Sequence, residues 1–320
     1  MKNNLIKGSS LGLLGGLMWG LDTVISAIAL SMFPFISLKQ AALLAPFVGV
    51  FFHDSISGIW SFLYILVTGK LRNLIDVITS KSIIMALLIG ILAGPIAMTG
   101  YYGAVNYMGA ANAATFAATY PVVGALLSVI FLRERLNYKA WIGLVVSIIG
   151  VMILAYGGDS EPMTLKGVLF GLAAVLGWGG ETVLCAFGLE TDDSLKPSSV
   201  LQIRQTISGL TYLLIFLPLL SAFPVVKEVI TYRPTLLMFV LAAFCGTVSI
   251  IFYYKTVDHI GPTKAMGLNS TCSIWSMVFA LILQGTEITI SMIIAAIIVI
   301  SGTLFMVSQP TRKAEKKKRS

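Results

Sequence analysis

Two tryptophan and acid pairs in this sequence have the spacing of a cation site. Trp19 and Asp22 are three residues apart, and so are Trp178 and Glu181. On a helix, this spacing puts each tryptophan on the same face as its acid. A quaternary ammonium has no hydrogen to donate, so aromatic ring faces recognise it and a carboxylate adds longer-range attraction. The two pairs therefore favour a site for a small organic cation.

The two pairs belong to a repeat within the chain. Residues 12–24 and 171–183 are identical at seven of thirteen positions, at an offset of 159 residues. Two further matches have offsets of 151 and 152: residues 53–58 with 204–209, and residues 101–109 with 253–261. An acid inside each copy of a repeated apolar segment predicts a duplicated membrane transporter with its site between the halves.

The composition places most of the chain in lipid. Hydrophobic residues make up 57% of it and charged residues 11%, against about 25% charged in a typical soluble domain. The mean hydropathy is +0.91. Because about 20 apolar residues cross a bilayer, we predict an all-α polytopic protein with ten spans, at residues 8–30, 40–67, 82–107, 111–132, 138–156, 166–189, 197–220, 234–254, 263–284 and 288–308.

The basic residues predict the orientation of these spans. With ten spans and both termini inside, the cytoplasmic segments hold 17 of the 22 lysines and arginines, and the outer segments hold four. Lys and Arg accumulate in cytoplasmic loops, so this orientation in the cell (inner) membrane is favoured over its reverse. The net charge of +8 then describes a rim beside anionic lipid and not a nucleic-acid surface.

The repeat and the span count together predict an inverted architecture. Each half holds five spans, an odd number, so the two halves enter the membrane from opposite sides. We expect a first repeat at residues 1–156, a second at 157–310 and a basic cytoplasmic tail at 311–320. Inverted repeats favour alternating access around a site near the middle of the membrane.

Charged residues inside the spans are the main candidates for the site. Each costs at least about 2.5 kcal/mol to insert, so packing alone seldom explains it. Glu181 is expected to touch the cation or to carry a coupling proton, and Asp22 is its repeat partner. His53 and Asp54 form either a proton relay or a local polar pair that satisfies Arg204. A structural role is favoured for Arg204, because its guanidinium would oppose a cation unless a carboxylate neutralised it.

Aromatic residues supply the other candidates. Trp19 lies eleven residues after Gly8, and Trp178 lies twelve after Lys166, which puts both about 16–18 Å into the membrane, deeper than an interfacial belt. The adjacent tyrosines at 101–102 and 253–254 occupy equivalent places in the two halves. One member of each pair should face inward, and Tyr102 and Tyr253 are favoured. Tyr120 precedes Pro121, where a proline in the middle of a span lets a helix bend around a cavity.

Several stretches resemble a known family. The arrangement of two five-span halves resembles the EamA-type branch of the drug/metabolite transporter superfamily, and more narrowly the bacterial LicB-type choline transporters. The stretches that carry the resemblance are Ala93–Met98, Tyr120–Pro121, Trp178–Leu184, Ile203–Gln205 and Lys264–Asn269 followed by Trp275. The resemblance implies that Asn269 and Trp275 contribute to substrate binding and that the direction of transport is import.

The function predicted from the sequence is secondary transport of choline or a closely related small quaternary amine by alternating access. The expected partners are the cation, membrane lipid and, if Glu181 exchanges a proton, protons. We expect no cofactor, and no ATP site is visible, so an ion gradient or the membrane potential would drive transport. Alternatives are an EamA-type exporter of amino acids, drugs or other metabolites, and a lipid-linked flippase. A membrane enzyme is disfavoured because the short loops lack a cluster of His, Asp and Glu.

Overall fold

A computed structural model of the chain describes residues 2–104, 107, 117, 119–156, 164–285 and 290–308. These residues form helices, turns and short connections, and no strand occurs among them. The predicted tail at 311–320 and most of residues 111–118, at the start of the predicted fourth span, lie outside the described residues. The fold is all-helical, as the sequence predicts.

Thirteen helices make up the described part of the chain. In order they are α1 (Lys2–Leu30), α2 (Lys39–Val67), α3 (Leu71–Ile78), α4 (Ser82–Ala104), α5 (Tyr120–Phe131), α6 (Tyr138–Tyr156), α7 (Leu165–Thr191), α8 (Pro197–Leu219), α9 (Phe223–Thr231), α10 (Arg233–Ile260), α11 (Pro262–Asn269), α12 (Cys272–Gln284) and α13 (Ile290–Val307).

Seven helical segments in the described residues are long and apolar enough to cross a membrane. They are α1, α2, α4, α7, α8, α10 and the pair α11–α12, which a turn at residues 270–271 joins. Three shorter apolar helices, Tyr120–Phe131, Tyr138–Gly150 and Ile293–Met306, lie where the sequence predicts further spans. A multi-span helical membrane protein is therefore confirmed, whereas the count of ten crossings stays a prediction.

Two short helices, α3 and α9, were not predicted. They connect α2 to α4 and α8 to α10, so they occupy the same place in each half, with starting residues 152 apart. Helix α3 buries Leu74 and Val77 and leaves Ile75 and Ile78 exposed. Amphipathic helices of this kind lie along a membrane surface. At eight and nine residues, both segments are far too short to span a membrane, so the hydropathy pattern does not single them out.

Helices α4 and α8 widen into π-helical turns where they meet. The turns run over Leu92–Met98, which contains Pro95, and over Tyr212–Phe216. The Thr99 hydroxyl lies 2.7 Å from the Tyr212 hydroxyl and links the two helices. Irregular turns of this kind occur often at functional sites. Pro95 lies within the π-helical turns of α4.

Pro121 lies near the start of the described helix α5. It occupies the first turn of α5, which begins at Tyr120 in the described residues. A proline at this position removes an N–H that has no helical partner, so it starts the helix without breaking it. Most of the predicted span before Pro121 lies outside the described residues, so the bend at Pro121 stays a prediction.

The first helix packs tightly against the second half of the chain. A Cβ atom added at Gly16 would lie 2.5 Å from Thr271 Oγ1, and one added at Gly20 would lie 2.6 Å from Trp275 Cβ. Only glycine allows the backbones of α1 and α12 to approach so closely. This contact brings Trp19 and Asp22 of α1 next to residues of the second half.

A polar cluster joins the start of α4 to the connection between α7 and α8. Asp192 accepts hydrogen bonds from the hydroxyls of Ser82 and Ser194 and from the Ser194 backbone N–H, the last at 2.9 Å. These donors hold the pKa of Asp192 below its usual value of 3.8, with Ser194 the largest contributor. The cluster lies outside the apolar helices and connects the two halves.

Candidate functional site

A cavity lies between the two halves of the chain. With its opening to solvent, it encloses about 600 Å³ of space free of protein atoms. Residues from α1, α2, α4, α5, α7, α8, α10 and α11 line it. They are Trp19, Asp22, His53, Asp54, Met98, Tyr120, Trp178, Glu181, Thr182, Arg204, Gly246, Ser249, Ile250, Tyr253 and Asn269.

Aromatic rings form one part of the cavity wall. The rings of Trp19 and Trp178 are 5.9 Å apart and nearly perpendicular, at 84°. Tyr120 meets both at an edge, 6.4 Å from Trp19 and 6.2 Å from Trp178. The centre of the Tyr101 ring also lies 5.3 Å from the centre of the Trp178 ring. The two tryptophans that the repeat relates are therefore neighbours, although 159 residues separate them in sequence.

His53 lies between two acids at the first-half side of the cavity. Its Nε2 is 3.2 Å from Asp22 Oδ2, and its Nδ1 is 2.9 Å from Asp54 Oδ1. Ser26 donates to Asp22 at 3.2 Å, and Ser208 donates to Asp54. An imidazole can donate from both nitrogens only when it is protonated. The three side chains can therefore hold a shared proton, and all three are at least nine-tenths buried.

Glu181 forms the second acid and base pair of the cavity. Its Oε1 lies 3.3 Å from Arg204 Nε and accepts a hydrogen bond from the Tyr254 hydroxyl. Arg204 also donates from Nη1 to Gln205 Oε1 at 3.0 Å. The carboxylate thus neutralises the guanidinium. Without a neutralising carboxylate, Arg204 would oppose a cation bound beside it. The ion pair of Arg204 within 4 Å is with Glu181, and Asp54 interacts with Arg204 electrostatically at longer range. Both predicted roles of His53 and Asp54 stay predictions.

The two pairs are related by the sequence repeat. His53 and Arg204 occupy equivalent positions, and so do Asp54 and Gln205. In the first half, a base on α2 contacts an acid on α1 and the residue after itself. In the second half, a base on α8 contacts an acid on α7 and the residue after itself. The two halves therefore share the same pattern of contacts, but the base is an imidazole in the first half and a guanidinium in the second.

Ten of the twelve residues predicted for the site line this one cavity. Tyr253 is among them, and its hydroxyl lies 2.7 Å from Thr182 Oγ1. Tyr102 and Trp275 are not among the lining residues. The Tyr102 ring lies 6.1 Å from that of Tyr101, and Trp275 packs against α1 at Gly20.

Some cavity residues were missed from the sequence. Gly246, Ser249 and Ile250 line it from the same face of α10 as the predicted Tyr253, at helical intervals of three and four residues. Tyr101, the repeat equivalent of Tyr253 at an offset of 152, contacts the Trp178 ring but is not among the lining residues. Among the residues that the structure describes, no group of three His, Cys, Asp or Glu side chains is arranged to hold a metal ion.

A sequence profile of the EamA-like transporter family matches residues 6–156 and 165–308. The chain belongs to the EamA-like transporter family. The two matches cover most of the chain, once in each half, so the predicted membership is confirmed. Transport across a membrane is the activity of this family, which agrees with the helical membrane fold.

Two individual relatives match part of the chain, and neither shows the substrate of this protein. Protein LicB of Haemophilus influenzae is 30% identical over 189 residues, or 59% of this chain. The alignment spans 63% of that relative, less than two thirds of its length. An uncharacterized transporter of Clostridium kluyveri is 25% identical over 239 residues, which are 72% of this chain and 74% of the relative.

A solved crystal structure has the same fold. It superimposes with a TM-score of 0.69 over 97% of this chain and 98% of its own, at 17% sequence identity. At this identity the likeness concerns the fold alone. It shows that the helical arrangement around the cavity is one that a known protein adopts.

Proposed function

We propose that the protein is a secondary transporter that imports choline or a closely related small quaternary amine by alternating access. In this proposal it crosses the cell membrane ten times, as two inverted halves at 1–156 and 157–310, with both termini cytoplasmic. Membership of the EamA-like family and the position of the cavity between the halves support it.

The observation that carries the proposal is the aromatic wall beside buried acids. Trp19, Trp178 and Tyr120 meet edge to face along the cavity, and a ring face beside a cation is attractive without any hydrogen bond. Three carboxylates line the cavity against one guanidinium and one imidazole. When the acids are ionised, the lining is therefore negative in either state of the imidazole, which favours a cationic substrate.

Asp22 is the acid best placed to balance the substrate charge. Glu181 is already paired with Arg204, whereas the base beside Asp22 is a histidine that can release its proton. In the proposed cycle, the proton on His53 and the substrate cation serve as alternative partners for Asp22. Entry of the cation would then be coupled to movement of a proton in the opposite direction.

The first test is the thermal stability of the purified protein with a panel of ligands. Choline should raise the melting temperature, and Trp178→Ala should abolish this shift because it removes the ring shared by Trp19 and Tyr120. Trp141→Ala is the matched control, since Trp141 lies outside the cavity lining, and it should keep the shift. A shift with amino acids or neutral solutes but none with choline would contradict the proposal and favour an EamA-type exporter.

The second test is uptake by a Glu181→Gln variant. The change leaves Arg204 buried with an unpaired charge, which costs several kcal/mol or shifts its partners. We expect transport to be abolished or to lose its coupling. Glu190→Gln, near the end of the same helix and outside this cavity, is the control and should transport normally. Full uptake in Glu181→Gln would refute the role of Glu181.

A further inference from the structure

Two lysines meet at one phenol near the ends of α2 and α10. The Lys70 ammonium donates to the Tyr64 hydroxyl at 2.8 Å and the Lys255 ammonium donates to it at 3.3 Å. They lie 4.6 and 5.7 Å from the centre of the Tyr64 ring. Because both bind one oxygen, the two nitrogens are at most about 6 Å apart. Two positive charges at this distance repel each other.

The positive charge of this cluster is not balanced by a protein carboxylate. The buried bases His53 and Arg204 each lie within 4 Å of an acid. In the described residues, by contrast, neither Lys70 nor Lys255 has a carboxylate oxygen within 4 Å. The phenol accepts hydrogen bonds but brings no full negative charge. The cluster has the composition of an anion site.

The surroundings of the cluster suit a phosphate group. Lys70 immediately precedes α3, whose N-terminus has no side-chain cap, so backbone N–H groups of its first turn are available to an anion. Arg72 adds a third positive charge in the same turn. Val67 beside the cluster is 86% exposed, and Ile75 of α3 is exposed as well. Apolar surface next to a cationic cluster fits a lipid whose headgroup is anionic.

We infer that Lys70, Lys255 and Tyr64 bind a phosphate group, supplied by an anionic phospholipid at the rim that the sequence predicts to be cytoplasmic. The two ammonium groups contact the phosphate oxygens and the acyl chains lie along Val67. Tyr64 and Lys70 belong to the first half of the chain and Lys255 to the second. The bound headgroup therefore joins the halves and stabilises the arrangement of α2 and α10 seen here. A soluble phosphate ester presents the same chemistry without the chains.

The test compares three probes on the purified full-length protein in neutral detergent: phosphatidylglycerol, phosphatidylcholine and glycerol 3-phosphate. We expect phosphatidylglycerol to raise the melting temperature by about 2–4 °C more than phosphatidylcholine. The Lys70→Gln/Lys255→Gln double variant should lose this difference. Lys227→Gln, which removes a lysine from α9 in the other half, is the control and should keep it.

A second readout counts phosphatidylglycerol molecules that remain bound in native mass spectrometry, which does not depend on melting. The double variant should retain at least one molecule fewer than the wild type. A shift with glycerol 3-phosphate alone, lost in the double variant, would support the phosphate site and identify a soluble ester as its ligand. Equal effects of phosphatidylglycerol and phosphatidylcholine, or an undiminished difference in the double variant, would overturn the inference.

Discussion

Replacing Gly246 by alanine tests whether the contact between His53 and Asp22 matters for transport. Gly246 lies on α10 and packs directly against this contact at the cavity wall. An added Cβ would lie 2.7 Å from His53 Nε2 and 2.9 Å from Asp22 Oδ2, where an ordinary contact needs 3.4–4 Å. The methyl group therefore meets both polar atoms of the contact, which is only 3.2 Å long.

The size of the effect follows from these distances. Both atoms must move by at least about 0.5 Å, and overpacking a tight interior costs about 1–3 kcal/mol. At about 1.4 kcal/mol for each factor of ten, uptake should fall about 5-fold to 150-fold if the strain opposes the transporting conformations. The methyl group also separates a buried acid from its base, which adds to the cost.

The assay is choline uptake into proteoliposomes at matched protein content, with melting temperature measured alongside. Gly58→Ala is the control, because the nearest atom to its added Cβ is Gln205 Cβ at 3.8 Å, an ordinary contact. We expect normal uptake for Gly58→Ala and a loss for Gly246→Ala. Wild-type uptake by a folded Gly246→Ala protein would refute the argument that the His53 and Asp22 contact takes part in transport.

Two further predictions concern residues outside the cavity lining, which should affect stability and not substrate binding. Trp275→Ala should lower the free energy of unfolding by less than the value of about 3–5 kcal/mol for a fully buried tryptophan, because Trp275 is only partly buried. It should keep the choline-induced shift, since Trp275 packs on Gly20 outside the cavity lining; loss of that shift alone would return it to the site. Asp192→Asn should lower the melting temperature at pH 7, where the wild-type carboxylate is ionised and bound by Ser82 and Ser194. Since the pKa of Asp192 is depressed below 3.8, its stabilisation is present above that pH and is lost as the pH falls through the lowered pKa; melting curves from pH 7 to pH 3 should therefore converge for the two proteins.

The sequence predicted the membrane helices because the signal for each is long and apolar. All seven long helices of the described residues overlap predicted spans. The short helices α3 and α9 could not be recognised in this way, since eight or nine residues with one buried face resemble a polar loop in composition. Their equivalent positions in the two halves are a property of the fold that the span search does not use.

The polar residues of the cavity were predictable because charge inside a membrane is costly. Asp22, His53, Asp54, Glu181 and Arg204 stand out in apolar segments, and all line the cavity. Their partners were not predictable, since the pairing depends on how α1, α2, α7 and α8 rotate against one another. The uncharged lining residues of α10 were missed for the opposite reason, because glycine, serine and isoleucine do not stand out in an apolar helix.

The repeat places an acid and a base at equivalent positions in each half, but the base is a histidine in the first half and an arginine in the second. Asp22 with His53 and Glu181 with Arg204 have equivalent positions and equivalent contacts. A guanidinium stays charged at every physiological pH, so Arg204 keeps its charge and its need for an acid partner throughout a cycle. An imidazole, unlike a guanidinium, has a neutral form, so the proposed mechanism assigns the exchange of charge to the first-half pair. In the proposed mechanism the divergence of one base therefore assigns the two halves different tasks, with the second-half pair fixing the aromatic wall at Trp178 and the first-half pair exchanging a proton against the substrate at Asp22.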